Sequence, residues 1–305
     1  MKSWSDLNVP CQLGTGTWAW GDKRVWGYGR QYSDGDLREA FTSSISSGIT
    51  FFDTAEMYGF GKSEELVGRF INEQQANVLI ATKFMPVPWR LRRHDLISAL
   101  ERSLKRLGTK SVDLYQIHWP LHLRSLNTWM DGFAEAVKRG LARSVGVSNY
   151  NVTQMKRAHE HLDRHGVALL SNQVEFSLLH RAPETNGLLK TCGELGIKLI
   201  AYSPLAMGVL TGKYTASHML TGYRGVRFNR YLSSIEELTH LLKEIGQAHG
   251  GKTPSQVALN WTICKGTFPI PGAKNAKQAN ENAGAQGWSL TTEEISAIER
   301  ASDRT

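Results

Sequence analysis

The chain has 305 residues, 41% apolar and 21% charged, and its net charge of +8 is not gathered into a basic tail. These totals exclude a disordered chain and argue against nucleic acid as a partner. No run of 18 apolar residues is uninterrupted, and MKSWSDLNVP lacks the apolar stretch of a secretory leader, so neither a membrane partner nor secretion is expected. Cys11, Cys192 and Cys264 form no CxxC pair and are odd in number, which fits a reducing compartment without disulfides. No metal-ligating set is read, so no metal is expected.

In chain order the strand candidates are QLGTGT (12–17), ITFFD (49–53), VLIATK (78–83), VDLYQIH (112–118), SVGVS (144–148), LLSNQV (169–174), KLIAYS (198–203) and TFPIP (267–271). Between most of them lie segments with apolar residues three and four apart, among them DLREAFTSSISSG, HDLISALERSLKRLG and LNTWMDGFAEAVKRG. Gly48, Gly108 and Gly140 end these segments as left-handed helix caps would. Eight apolar strands alternating with helices predict a (β/α)8 TIM barrel, the parallel sheet being covered by helices. No Pro- or Ser-rich linker divides the chain, so one domain over residues 1–305 is expected. Two additions stand out. Residues 204–233 read as a long glycine-rich loop after strand seven, and LTTEEISAIERA (290–301) reads as an extra C-terminal helix opened by a capping box.

Chemistry in such a barrel gathers at the C-terminal strand ends. Those ends bring Asp53 from strand two, Lys83 from strand three and His118 from strand four, with Tyr58 in the loop after Asp53. Singly, each has an ordinary reading as a turn former, a solvated cation or a structural imidazole. Together on adjacent strands they fit carbonyl reduction, in which hydride addition leaves negative charge on oxygen and demands a proton donor. A free tyrosine, with a pKa of about 10, is a weak acid at neutral pH. An adjacent Lys83 ammonium is expected to lower that value, Asp53 to keep the lysine charged, and His118 to orient the substrate oxygen.

FFDTAEMYG, IATKF, DLYQIHWP, SVGVSNY, NQVEFS, IAYSPLAMGVLTGKY and IPGAKNAKQANENAGA resemble, in order, the successive motifs of the aldo-keto reductase family. The likeness runs from LGTGTWAWG to the C-terminal helix and is closer to the bacterial, cyanobacterial and plant branch than to the animal sugar reductases. It implies that Asp53, Tyr58, Lys83 and His118 are the catalytic residues. It also implies NADPH lying extended across the rim, a mode needing no GxGxxG, of which LGTGTW holds only GxG. Thr17, Trp18 and Asp53 then border the cofactor. Ser148, Asn149 and Gln173 match the two faces of a carboxamide, and Tyr202 offers a ring to stack on nicotinamide. In Ser203, Pro204, Leu205, Gly208, Gly212 and Lys213 the resemblance implies a close backbone approach and a phosphate partner, with Arg224 and Arg227 clamping the pyrophosphate. After strand eight, Gly272 and Lys274 precede a helix start suited to the 2′-phosphate. Glu281 and Asn282 hold adenine, and Gln278 stands where the sugar-reductase branch carries an arginine.

Trp18, Trp26, Trp89 and Trp119 are expected to line an aromatic substrate pocket for a small carbonyl compound, which the sequence does not identify. The rivals are a slow-turnover NADPH-binding module resembling potassium-channel β subunits and a phosphate-binding barrel isomerase or lyase. Oligomeric state is not legible. The compartment expected is the cytoplasm, or the plastid stroma if a transit peptide has been removed.

Overall fold

The computed structural model describes residues 3–121, 126–215, 217–232 and 234–305. Its strands are β1 (Thr15–Gly16), β2 (Phe51–Asp53), β3 (Leu79–Phe84), β4 (Val112–Ile117), β5 (Ala142–Ser148), β6 (Leu169–Glu175), β7 (Lys198–Tyr202) and β8 (Phe268–Ile270). All pair in parallel, and their spatial order is their chain order. The ring closes where Gly14 N–H donates to Pro269 O at 2.9 Å and Gly16 N–H donates to Pro271 O at 3.0 Å. That closure requires glycine at position 16, because a Cβ there would lie 2.7 Å from the Ile270 carbonyl oxygen. The result is the expected (β/α)8 barrel. Its first and last strands are shorter than their sequence runs, since Gly14 and Gly16 weaken one and Pro269 and Pro271 lack the donors to extend the other.

The helices are α1 (Asp34–Ser46), α2 (Lys62–Gln74), α3 (Arg93–Leu107), α4 (Leu126–Lys138), α5 (Val152–Asp163), α6 (Ala182–Thr185), α7 (Leu188–Glu194), α8 (Gly222–Phe228), α9 (Ile235–Ala248), α10 (Pro254–Cys264), α11 (Ala276–Ala283) and α12 (Thr292–Ser302). Gly48, Gly108 and Gly140 follow α1, α3 and α4 at φ of 80°, 67° and 70°, the left-handed caps expected. α12 is the additional C-terminal helix, and its capping box is Thr291 with Glu294. No helix among the described residues is long and apolar enough to cross a membrane.

The stretch 204–233 is not a plain loop. It contains 3-10 turns at Ala206–Thr211 and Asn229–Tyr231 as well as α8, while Ala216 and Ser233 lie outside the described residues. Glycines at 222 and 225 lower local helix propensity and hid α8 from a sequence reading. Packing overrides them: Phe228 is buried, and Gly225 sits so close to Leu220 that a Cβ would meet its carbonyl at 2.5 Å.

Strand alternation sorts the side chains. Phe52 points outward onto Phe41 and Trp20, with ring centroids at 4.7 and 6.2 Å. Phe51 points inward and packs with Leu114, Ile200 and Phe268 at the barrel floor, which Trp4 covers at 5.1 Å from Phe268. One step up each strand, the interior turns from hydrocarbon to Asp53, Lys83, Gln116 and Gln173, all buried. A bulge helps set that phase: Val145 pairs with Leu169 but Gly146 with Ser171, leaving Leu170 as an extra residue in β6.

Candidate active site

At the C-terminal rim, Asp53 ends β2, Lys83 sits one residue from the end of β3, and His118 follows β4. Lys83 is wholly buried (0% exposed) and its ammonium has three acceptors. They are the Asp53 Oδ1, to which it makes a short ion pair, the Thr54 carbonyl at 2.9 Å and the Tyr58 hydroxyl at 3.3 Å. The Tyr58 and His118 rings meet edge to face, with centroids 5.5 Å apart. The four side chains expected to act together are therefore brought together.

The electrostatics agree with part of the expectation and correct the rest. Burial works against the Lys83 ammonium, but Asp53 and Tyr58 more than offset it, so the lysine is held above its ordinary value and stays charged. Burial likewise pushes the Tyr58 phenol up; Lys83 pulls it down, while the Asp53 charge pushes it up again. The net direction is upward, opposite to the lowering expected from Lys83 alone, because desolvation of a phenolate outweighs one already neutralised ammonium. His118 is driven down to about 3 by burial first and by Lys83 second, so its imidazole is neutral. Its Nδ1 is buried with no hydrogen-bond partner.

Two glutamines complete the floor. Gln173 and Gln116 donate to Asp53 Oδ2 at 2.8 and 3.1 Å, and Gln173 Nε2 is also 3.3 Å from Gln116 Oε1. The Gln173 amide nitrogen is thus directed to Asp53, while the residue lines the cleft above, where a carboxamide partner is expected. Gln116 was missed; its only signal was a polar residue inside the apolar run VDLYQIH.

A cleft of about 910 Å³ opens above this floor. Its lining includes Thr17, Trp18, Tyr58, His118, Ser148, Asn149, Tyr202 and the turn Ser203, Pro204 and Leu205. Gly208, Lys213, Arg224, Arg227, Gly272, Lys274, Gln278, Glu281 and Asn282 continue it, whereas Gly212 does not line it and caps the 3-10 turn at φ 73°. Ser148 and Asn149 are tied down: Ser148 Oγ donates to Gln173 O at 2.7 Å, Asn149 Nδ2 donates to His118 O at 3.0 Å, and Tyr202 OH donates to Asn149 Oδ1 at 3.0 Å.

The positive residues divide in two. Arg224 stacks 5.3 Å from the centroids of both Trp26 and Tyr214, Lys213 lies 5.1 Å from Tyr214, and Lys274 lies over Tyr32 and Trp26 at 5.1 and 5.5 Å. Among the described residues none of these three has a carboxylate partner within 4.0 Å, and Lys274 is held below its ordinary value by burial, then by Arg224 and Lys213. Arg227 differs. Its Nη2 donates to both carboxylate oxygens of Glu175, at 2.5 and 2.6 Å, so the arginine expected to clamp the pyrophosphate is already engaged through that nitrogen. Glu175 ends β6, a strand-end position that sequence reasoning passed over.

At the far end, Asn275 caps α11 by accepting from Gln278 N–H, and the Gln278 side chain accepts Lys274 N–H at 2.9 Å. Glu281 accepts from Thr253 at 3.0 Å. Of the expected tryptophans, Trp18 packs on Trp26 at 5.6 Å beside the cleft, and Trp119 lines it while 42% exposed. Trp89 does not line it and is 77% exposed. The reason lies next door: Arg90 turns inward to pair with Glu56 and to stack 5.0 Å from Phe84, which sends Trp89 toward solvent.

A chloroplastic pyridoxal reductase of Arabidopsis thaliana is 44% identical over 303 residues, covering 95% of this chain and 82% of that protein. A thermostable aldo-keto reductase solved with the inhibitor epalrestat superposes with a TM-score of 0.77 at 32% identity, covering 95% of both chains. An aldo-keto reductase of Klebsiella pneumoniae solved with NADPH gives 0.74 at 27% identity, covering 95% of this chain and 90% of that one. The profile of the Aldo/keto reductase family matches residues 12–303, from β1 to the end of α12. A barrel closed at Gly16, a buried lysine between carboxylate and phenol, and a match of that length lead to one conclusion: the chain belongs to the aldo-keto reductase family.

Proposed function

We propose that the protein reduces an aldehyde or ketone to an alcohol with NADPH, Tyr58 donating the proton to the carbonyl oxygen. The observation that carries this reading is the meeting of Asp53, Lys83, Tyr58 and His118 at one point of the cleft. The cleft also fits the cofactor. Trp26, His118, Arg224 and Ser255 line it, and each side chain carries a buried polar atom without a partner, namely Nε1, Nδ1, Nε and Oγ. Lys213, Arg224 and Lys274 crowd like charges together, an arrangement that a phosphate dianion would relieve. Lys274 is assigned to the 2′-phosphate, Tyr202 to the nicotinamide face, and Glu281 with Asn282 to the adenine end.

NADPH, when bound, supplies the hydride. The protein's own residues do the rest. The raised Tyr58 pKa keeps the phenol protonated at neutral pH, which is the form an acid must hold before donating. The Lys83 ammonium stands 3.3 Å from that oxygen and stabilises the charge left as the proton departs. Asp53, braced by Gln116 and Gln173, holds Lys83 protonated and in place. Neutral His118 donates a hydrogen bond to the carbonyl oxygen and sets its angle to Tyr58.

For substrate, pyridoxal is proposed as the first compound to test, on the likeness to the plant pyridoxal reductase, the Trp18 ring 6.5 Å from that of Tyr58, and Trp119 in the same cleft. The experiment is NADPH consumption followed with pyridoxal and a panel of aliphatic and aromatic aldehydes, using wild type and Tyr58→Phe. The variant should lose roughly 10²- to 10⁴-fold in turnover, the usual share of general acid catalysis, while its NADPH dissociation constant changes little. Full turnover by the variant would remove Tyr58 from the role, and failure of the wild type on the whole panel would refute the activity.

A further inference from the structure

Away from the cleft, the stretch HEHLDRH (159–165) places two histidines one helical turn apart, His161 on α5 and His165 just beyond it. Asp131 on α4 faces both. His161 Nε2 lies 2.7 Å and His165 Nε2 3.1 Å from the same oxygen, Asp131 Oδ1. The three ligand atoms fall within 4.8 Å of one another, and none of the residues lines the cleft. The proposed chemistry does not use them.

We propose that Asp131, His161 and His165 bind a divalent first-row metal ion, with Zn²⁺ as the chemically best-suited occupant. Two imidazoles and one carboxylate are the donor set that zinc takes when a fourth position stays open to water. Tetrahedral bonds of about 2.0–2.2 Å put ligand atoms roughly 3.3 Å apart. The observed 2.7 and 3.1 Å are short of that by about 0.6 and 0.2 Å, and the two imidazole nitrogens lie within 4.8 Å of each other, so side-chain rotations admit an ion where two N–H donors now crowd one oxygen. Exposure allows those rotations: the Asp131 and His165 side chains are 40% and 42% accessible, and His161, at 13%, supplies the fixed point. The His161 Nδ1 is buried and unpartnered, so moving that ring's proton from Nε2 to Nδ1 breaks no hydrogen bond on the Nδ1 side. Oxygen-only ions such as Mg²⁺ suit this set poorly, because imidazole supplies two of its three ligands.

The test titrates Zn²⁺ into chelator-stripped full-length protein by calorimetry, and Co²⁺ in parallel by visible absorption. Wild type should bind one ion per chain, and Co²⁺ should give the d–d bands of a tetrahedral site. Its melting temperature should rise with zinc, since an ion that binds the folded chain stabilises it. His165→Ala and Asp131→Ala should each weaken binding by about tenfold or more, at least the loss that follows from disturbing even a supporting residue of a metal site. Turnover should be unchanged in both. His165 is half exposed, so its variant folds even if Asp131→Ala does not. Absence of one-to-one binding in wild type, or the same affinity in His165→Ala, would overturn the proposal and leave Asp131 as a shared hydrogen-bond acceptor.

Discussion

Lys83→Met offers the sharpest quantitative check on the site. Lys83 and Asp53 are 0% and 1% exposed, so the pair is almost wholly withdrawn from water. Methionine fills the lysine's volume but leaves the Asp53 carboxylate with only the Gln116 and Gln173 amides. Breaking a buried pair by removing one partner costs about 3–5 kcal/mol. With an unfolding entropy of about 2.1 cal/mol/K per residue, 305 residues correspond to roughly 0.64 kcal/mol per degree. The variant should therefore melt about 5–8 °C below wild type at pH 7. Adding Asp53→Asn removes the stranded charge, so the double variant should recover part of that loss without recovering turnover. The pH dependence has a definite sign. Because folding raises the Lys83 pKa, the lysine's contribution is fully present at neutral pH and is lost as pH rises through the raised folded value. The gap between wild type and Lys83→Met should hold from pH 7 to 9 and narrow only at strongly alkaline pH. Scanning calorimetry on the three proteins decides it. A single variant within 1 °C of wild type, or a double variant no better than the single, would show that the pair is not the buried, charged unit described.

His118, driven down to about 3, should leave kcat/KM for aldehyde reduction without a break near pH 6.5, and a bell-shaped profile that disappears in His118→Gln would contradict a neutral imidazole. The same lowering makes the unfolded chain take up a proton that the folded chain refuses, so stability should fall as pH drops below about 6.5, less steeply in His118→Gln by chemical denaturation. Lys274→Glu should weaken NADPH by about 10- to 150-fold, the worth of a charged hydrogen bond, and leave NADH nearly unchanged; equal losses in both dissociation constants would show that Lys274 does not read the phosphate.

Much of the barrel and its rim can be read from residue types, because strand ends in a parallel barrel converge by topology. Asp53, Lys83 and His118 needed only the correct strand boundaries, which short apolar runs supply. Pairing inside the rim is another matter. Gln116 and Gln173 both look like strand polars, and nothing in their spacing says that their amides turn to Asp53. Arg227 was readable as a cation near the cleft, but its engagement depends on Glu175, 52 positions earlier and on another element. Trp89 misled because a large aromatic beside a site looks like lining, while the inward place was taken by its neighbour Arg90. The direction of the Tyr58 shift depended on the balance between desolvation and two opposite charges, which three-dimensional packing rather than spacing along the chain sets. Asp131 and His161 sit on separate helices, and only packing of α4 on α5 brings them together.

The change of layer inside the barrel has an evolutionary meaning. Around Phe51, Leu114 and Ile200 the floor is hydrocarbon, and such layers accept exchanges of similar volume at modest cost. The layer above is a single hydrogen-bonded unit in which Asp53 takes donors from three strands, so replacing any member strands the others. Variation that alters what the protein accepts is thereby channelled away from the strands and into the loops around Trp18, Trp119 and the segment carrying α8. New substrates can then be acquired there while the buried polar layer stays as it is.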